Sequence, residues 1–185
     1  MGIYADQIFP RVMDWIMRAP RFRELRRQIL APARGHVLEI GFGTGLNLPH
    51  YPRGVTWLTA VDPANFPNAL VEKQTTAGSI PVKLVRLSAE TLPFESGQFN
   101  RVVSTWTLCT IPDPVAALRE VRRVLKPGGQ LVAVREPVKP LVPWPAGRGT
   151  VAQRDARRLR VPLYSRANYL DLFDRAGFSV KVKRV

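Results

Sequence analysis

A short apolar run, residues 36–40, leads directly into Gly41-Phe42-Gly43-Thr44-Gly45. Three glycines at alternate positions after a strand predict a tight turn into a helix start. Such a turn carries backbone N–H groups to a ligand at the carboxyl end of the strand. A second apolar run, 55–61, ends at Asp62-Pro63, so an acid stands 21 residues after Gly41. That spacing suits a carboxylate reaching ribose hydroxyls. A dinucleotide fingerprint needs a third glycine at the sixth position, where the chain has Leu46 counted from Gly41 and Leu48 counted from Gly43. A phosphate-cradling loop ending in Gly-Lys-Ser/Thr is absent. Glu39 precedes the glycines, and an acid there argues against a pyrophosphate and for a cationic or amino-bearing ligand.

The rest of the chain supplies the frame. Helical spacing covers 3–18, and Pro20 opens a second helix. Phe22, Leu25, Ile29 and Leu30 form one face of that helix, with Arg21, Arg23, Arg26 and Arg27 largely elsewhere. A weaker helix is predicted over 66–77, and strands over 81–87 and 99–105. Asp113-Pro114 reads as an N-cap with proline at the first helical position. Val115, Leu118, Val121 and Leu125 form the stripe of that helix, Lys126–Gly129 end it, and 130–134 is a fifth strand. Residues 137–164 are rich in Pro and Arg with no period and read as a lid. Ser165 caps a last helix, and 178–185 alternate as a strand. Strands alternating with helices predict one α/β domain, a Rossmann-like doubly wound, mostly parallel sheet with helices on both faces. Its parts are an N-terminal helical cap (1–34), a core (36–136), a lid-like insertion (137–164) and a last helix and strand (165–185).

Charge narrows the partners. Lys and Arg number 28 against 14 Asp and Glu, and 22 of the 28 are Arg. Seven Arg fall within 11–34 and six within 148–166. Such clusters fit an anionic partner, whether nucleic acid, a membrane surface or an acidic substrate, and equally a biased composition. Residues 20–31 set four Arg beside an apolar face, as in an interfacial helix on an anionic membrane; the alternative is that this face packs on the sheet. One cysteine excludes a disulfide framework, and two histidines leave no metal site. No apolar stretch approaches the roughly 20 residues of a membrane span. No signal region opens the sequence, so the reading is a cytoplasmic protein, with membrane-peripheral contact in view.

In its motifs the chain resembles the class I S-adenosylmethionine-dependent methyltransferases. The motifs are Val37–Gly45, Val61-Asp62-Pro63, Ser88–Phe94 and Leu118–Gly129. More narrowly it is similar to UbiE-type enzymes and to a thiol- and phospholipid-methylating branch, through Gly45–Tyr51 and Thr107–Thr110. The resemblance implies S-adenosyl-L-methionine as cofactor and a small-molecule or lipid-like acceptor. It implies that Gly41, Gly43 and Gly45 let backbone pass the methionine portion and that Glu39 holds its amino group. Asp62 would accept from both ribose hydroxyls, Pro63 would flank ribose and adenine, and Ala89 and Glu90 would sit at the adenine edge. Thr105 and Trp106 would line the acceptor side. Each acid has a plainer reading: a solvated strand end for Glu39, a turn former for Asp62, a surface carboxylate for Glu90.

The sulfonium is already a strong methyl donor, so the protein needs mainly to align a nucleophile and exclude water. A general base is needed only for a protonated nucleophile. Candidates are His50 as base, Tyr4 as a residue closing over the cofactor and Trp106 as a wall of the acceptor pocket. Cys109 reads as core, and Arg157, Arg158 and Arg160 as a solvated run or an anionic headgroup site. The chain departs from the family in carrying Arg135-Glu136-Pro137 where a Glu-His pair is frequent. It also has room after Gly177 for one strand of the usual final hairpin. Two alternatives remain: an RNA methyltransferase, suggested by charge, and a non-catalytic basic binding module. Ser104-Thr-Trp-Thr107 in place of an Asp/Asn-Pro-Pro-aromatic motif argues against the first, and intact Glu39, glycines and Asp62 against the second.

Overall fold

The computed structural model describes residues 14–64, 80–134 and 166–179. Tyr4 and most of the 3–18 helix, the 66–77 helix, the 137–164 insertion, Ser165 and all but the first two residues of the strand expected over 178–185 lie outside these residues. Pro20 opens α1 (Pro20–Leu30), where its missing N–H has no partner to lose. The strands are β1 (Gly35–Ile40), β2 (Val55–Val61), β3 (Val82–Val85) and β4 (Phe99–Thr105). Asp113 then caps α2 (Pro114–Val124), accepting from the N–H groups of Val115 and Ala116 at 3.1 and 3.0 Å. β5 (Leu125–Val134) and α3 (Arg166–Arg175) follow.

The sheet order is β3-β2-β1-β4-β5, and every pairing is parallel. Alternate strand residues therefore face opposite layers. Leu38, Ile40 and Val102 pack with Leu118, Val121 and Phe173, the side of α2 and α3. Val37, Leu58 and Val103 pack with Leu30, the side of α1. Helices thus cover both faces, as the alternating pattern predicts. The strand order reverses between β1 and β4, which opens a crevice at their carboxyl ends. Glu39, Asp62 and Thr105 all arrive at that end. Among the described residues, no helix is long and apolar enough to cross a membrane.

Three local expectations change. β3 is four residues long rather than seven. β5 begins at Leu125, which pairs with Phe99; the register then shifts before Arg101 meets Gln130. The Lys-Pro-Gly-Gly run is therefore a bulge inside the strand, not a connector before it. On α1, Arg26 is buried together with Phe22 and Leu30, so it belongs to the inward face. That face packs on the sheet, and α1 offers no free apolar stripe to a membrane.

The segment between β3 and β4 is held by α2. Arg123 donates to the carbonyls of Phe94 and Leu92 at 2.7 and 2.9 Å, and Glu120 accepts from the Leu92 N–H at 2.9 Å. Loss of the cap weakens this brace: Asp113→Ala should cost about 1 kcal/mol in urea denaturation, with an unchanged dependence on denaturant.

Candidate functional site

The glycine turn adopts the geometry its composition demands. Gly41, Gly43 and Gly45 have φ of +76°, +58° and +81°, a region costly to side-chain-bearing residues. At Gly41 space is also lacking, since a Cβ would lie 1.9 Å from Thr107 Oγ1. At Gly43 the reverse holds: a Cβ would meet no protein atom within 4 Å. The turn is tied to the next strand by Asp62, whose Oδ2 accepts from the Gly43 N–H at 2.8 Å while Oδ1 accepts from Ala64 N–H at 2.9 Å. Each oxygen keeps a lone pair. Burial raises the Asp62 carboxyl above its ordinary range, and those two N–H groups oppose the rise. Pro63 beside it is exposed.

Glu39 is 1% exposed at the end of β1. Its Oε1 accepts from Asn47 Nδ2 and its Oε2 from the Tyr51 hydroxyl, both at 2.8 Å. Asn47 Nδ2 also donates to Thr105 Oγ1 at 3.0 Å, which brings the ends of β1 and β4 together. The remaining Asn47 oxygen accepts from Arg26 Nε at 3.0 Å. Arg26 in turn donates to the Met17 carbonyl at 2.7 Å and stacks its guanidinium 4.8 Å from the Trp106 ring centre. Burial pushes Glu39 up to about 7, against the pull of Tyr51, Asn47 and Arg26. Burial lowers Arg26 to about 10, so it stays cationic.

The N-terminal cap is therefore joined to the glycine turn twice, through Arg26–Asn47 and through Thr44, whose hydroxyl donates to Asp14. Trp106 is the only non-glycine described residue with positive φ, at +58°. Its ring meets Phe22 edge-on at 5.5 Å, and its indole N–H is buried without a partner. His50 sits on the single turn Leu48–His50; burial first, then Arg26 and Arg23, hold its imidazole toward the neutral form. Ala89 is buried. Glu90 is turned to the protein's own groups, with Oε1 accepting from Asp113 N–H at 2.7 Å and Oε2 from Ser88 Oγ at 2.6 Å.

Sequence reasoning placed Glu39, the glycines, Asp62, Thr105 and Trp106 here, and the fold does bring them to one crevice. It missed Arg26, Asn47 and Tyr51. Asn47 and Tyr51 follow the glycines by two and six residues, and an acid set between Leu38 and Ile40 in a buried strand needs donors; that need was the available signal. Among the described residues there is no cluster of His, Cys, Asp or Glu fit to hold a metal.

Comparison with known proteins agrees with the fold. The family described as "Methyltransferase domain" matches residues 38–133, just over half of the chain. The phosphatidylethanolamine N-methyltransferase of Cereibacter sphaeroides is 37% identical over 102 residues, 54% of this chain and 50% of that one. Human thiol S-methyltransferase TMT1B is 35% identical over 129 residues, 66% of this chain and 52% of that one. The chain thus spans about half the length of these curated relatives. Phosphoethanolamine N-methyltransferase 2 of Haemonchus contortus, solved with S-adenosyl-L-methionine, superposes with a TM-score of 0.70 at 19% identity, covering 96% of this chain and 42% of that one. At that identity the likeness is one of fold.

The buried network makes a sharp contrast between neighbouring arginines. Arg26→Met should cost about 2–4 kcal/mol, because it leaves the Asn47 and Met17 oxygens unpaired in the interior. Arg27→Met, which removes only an exposed pair with Glu24, should leave the denaturation midpoint unchanged.

Proposed function

Because the chain belongs to the class I S-adenosylmethionine-dependent methyltransferases, we propose that it transfers a methyl group from S-adenosyl-L-methionine to a small-molecule or lipid-like acceptor at the β1–β4 crevice. The observation that carries this reading is the open space above Gly43 beside Asp62, flanked by the sealed Glu39. When bound, the sulfonium supplies an electrophilic methyl group. Asp62 accepts from the ribose hydroxyls with its free lone pairs and fixes the glycine turn with the others. Glu39, its oxygens taken by Asn47 and Tyr51, sets a buried carboxylate charge beneath the amino group rather than bonding to it, Pro63 and Ala89 flank the nucleoside, and Glu90 keeps the adenine-side loop against the α2 cap. Thr105 and Trp106 wall the acceptor side. His50, held neutral, is competent to take a proton from an acceptor that arrives protonated. Peripheral contact with an anionic membrane would fall to the exposed Trp15, Arg21 and Arg23, since the apolar face of α1 is packed inward.

Labelled cofactor offered with thiol, amine, phenol and phospholipid acceptors, the last in anionic vesicles, and with tRNA, tests the reading. Turnover of one class supports it. Methylation of tRNA alone would favour the RNA enzyme instead, and cofactor binding with no turnover of any class would favour a binding module.

Two variants probe the cofactor site by calorimetry. Asp62→Ala removes two charge-assisted hydrogen bonds and should weaken cofactor binding at least tenfold. Gly43→Val should abolish binding in a folded protein, because its side chain would fill the open space.

Glu39 also predicts a pH dependence. The folded chain keeps this proton up to about pH 7, whereas the unfolded chain gives it up near 4.5, so stability from this group falls as pH rises through that window. A ligand ammonium favours the ionised form. Cofactor affinity should therefore rise between about pH 6 and pH 8, and Glu39→Gln should flatten the profile.

A further inference from the structure

At the amino-terminal edge of the sheet, away from the glycine turn, lies a second cavity of about 270 Å³. Arg34, Asn100, Arg101, Lys126 and Gln130 line it together with the Pro127–Gly129 bulge. Three of these side chains are cationic and none is a carboxylate. Arg101 is 7% exposed, on β4 between Val37 and Gln130. Its side chain makes one described hydrogen bond, from Nη2 to Gln130 Oε1 at 2.8 Å, although a guanidinium carries five N–H groups. Lys126 Nζ reaches only Asn100 Oδ1, at 3.4 Å, and that oxygen already accepts from the His36 N–H at 3.0 Å. Among the described residues, no ion pair involves Arg34, Arg101 or Lys126.

This is an uncompensated arrangement. Burial lowers the Arg101 guanidinium, and the neighbouring Arg34 lowers it further. The other buried described arginine is answered: Arg26 donates to Asn47 and the Met17 carbonyl and lies near Glu39. A cation taken out of water beside like charges is unfavourable unless an anion joins it.

We propose that the cavity bounded by Arg34, Arg101 and Lys126 binds the phosphate group of a small phosphomonoester. A carboxylate offers two oxygens and one charge, which a single arginine satisfies. A phosphate dianion offers three oxygens and takes donors from two guanidiniums and an ammonium together. The cavity is smaller than the roughly 300–1,000 Å³ of pockets for drug-sized ligands, which fits a compact ligand. At Gly128, with φ of +75° and no protein atom within 4 Å of a Cβ, the bulge leaves its backbone open to approach. The site stands at the opposite strand ends from the methyl-transfer crevice and does not depend on that reading.

Thermal melts of the full chain, at constant ionic strength held with sodium chloride, test the proposal. Inorganic phosphate and glycerol 3-phosphate are the soluble probes; phosphatidylcholine vesicles with and without phosphatidic acid, read by cosedimentation, are the lipid arm. A saturable rise in midpoint of roughly 3–6 °C at ten times the dissociation constant supports a free phosphate ligand. Cosedimentation only with phosphatidic acid, with no response to soluble phosphate, supports the same site with a lipid headgroup as the source. Arg101→Gln risks the fold, so exposed Arg34→Ala is the deciding variant. It should lose either response while keeping cofactor binding. No response in any arm beyond matched sodium chloride, or an equal response in Arg34→Ala, overturns the proposal.

Discussion

Glu39 is a carboxylate sealed from water at the carboxyl end of β1, and the surrounding elements are arranged to satisfy it. An isolated charge in that position would cost several kcal/mol. Asn47 and Tyr51 answer it from the loop beyond the glycines, which fixes where that loop can run. Asn47 then needs partners of its own and takes them from β4 and α1. One buried acid thereby draws the N-terminal cap, the glycine turn and the β1–β4 junction into a single polar network, the kind of interior cluster in which partial satisfaction is worse than none.

The network explains how a turn of three glycines can be both open and ordered. Glycine supplies the positive φ but brings no side chain to hold the turn. Order comes from outside it, from Asp62 on Gly43, from Asp14 on Thr44 and from the fit of Thr107 against Gly41. Above Gly43 the turn is left bare. The indole of Trp106, held at positive φ between Arg26 and Phe22, closes the far side. Strain and an unsatisfied buried donor at the same residue are features that concentrate at functional sites.

Much of this was legible in the sequence, for reasons that can be named. Strand 55–61 was readable to the residue because its run ends at the turn formers Asp62-Pro63, and 99–105 because Phe99, Val102, Val103 and Thr105 are strong strand formers. The Asp113-Pro114 start was readable because capping is local chemistry. The inward turn of Arg26 was not, since an arginine in a helical pattern is ordinarily solvated, and only the tertiary position of Asn47 and Trp106 makes its burial favourable. The early start of β5 was hidden for a related reason. Leu125 satisfies the stripe of α2 and the pairing with Phe99 equally well, and the sheet decides between them. Glu90 shows the limit of motif reading: its position matched, but its carboxylate is committed to Ser88 and the α2 cap.

The position of the cofactor decides which of these residues bind it. A crystal structure with S-adenosylhomocysteine would show this directly. It should place the ribose hydroxyls on Asp62, the amino group over Glu39 and the chain of the ligand against the open face of Gly43, with the Asn47 bridge intact. A nucleoside bound elsewhere, or bound at the crevice without contact to Asp62 and Glu39, would contradict it.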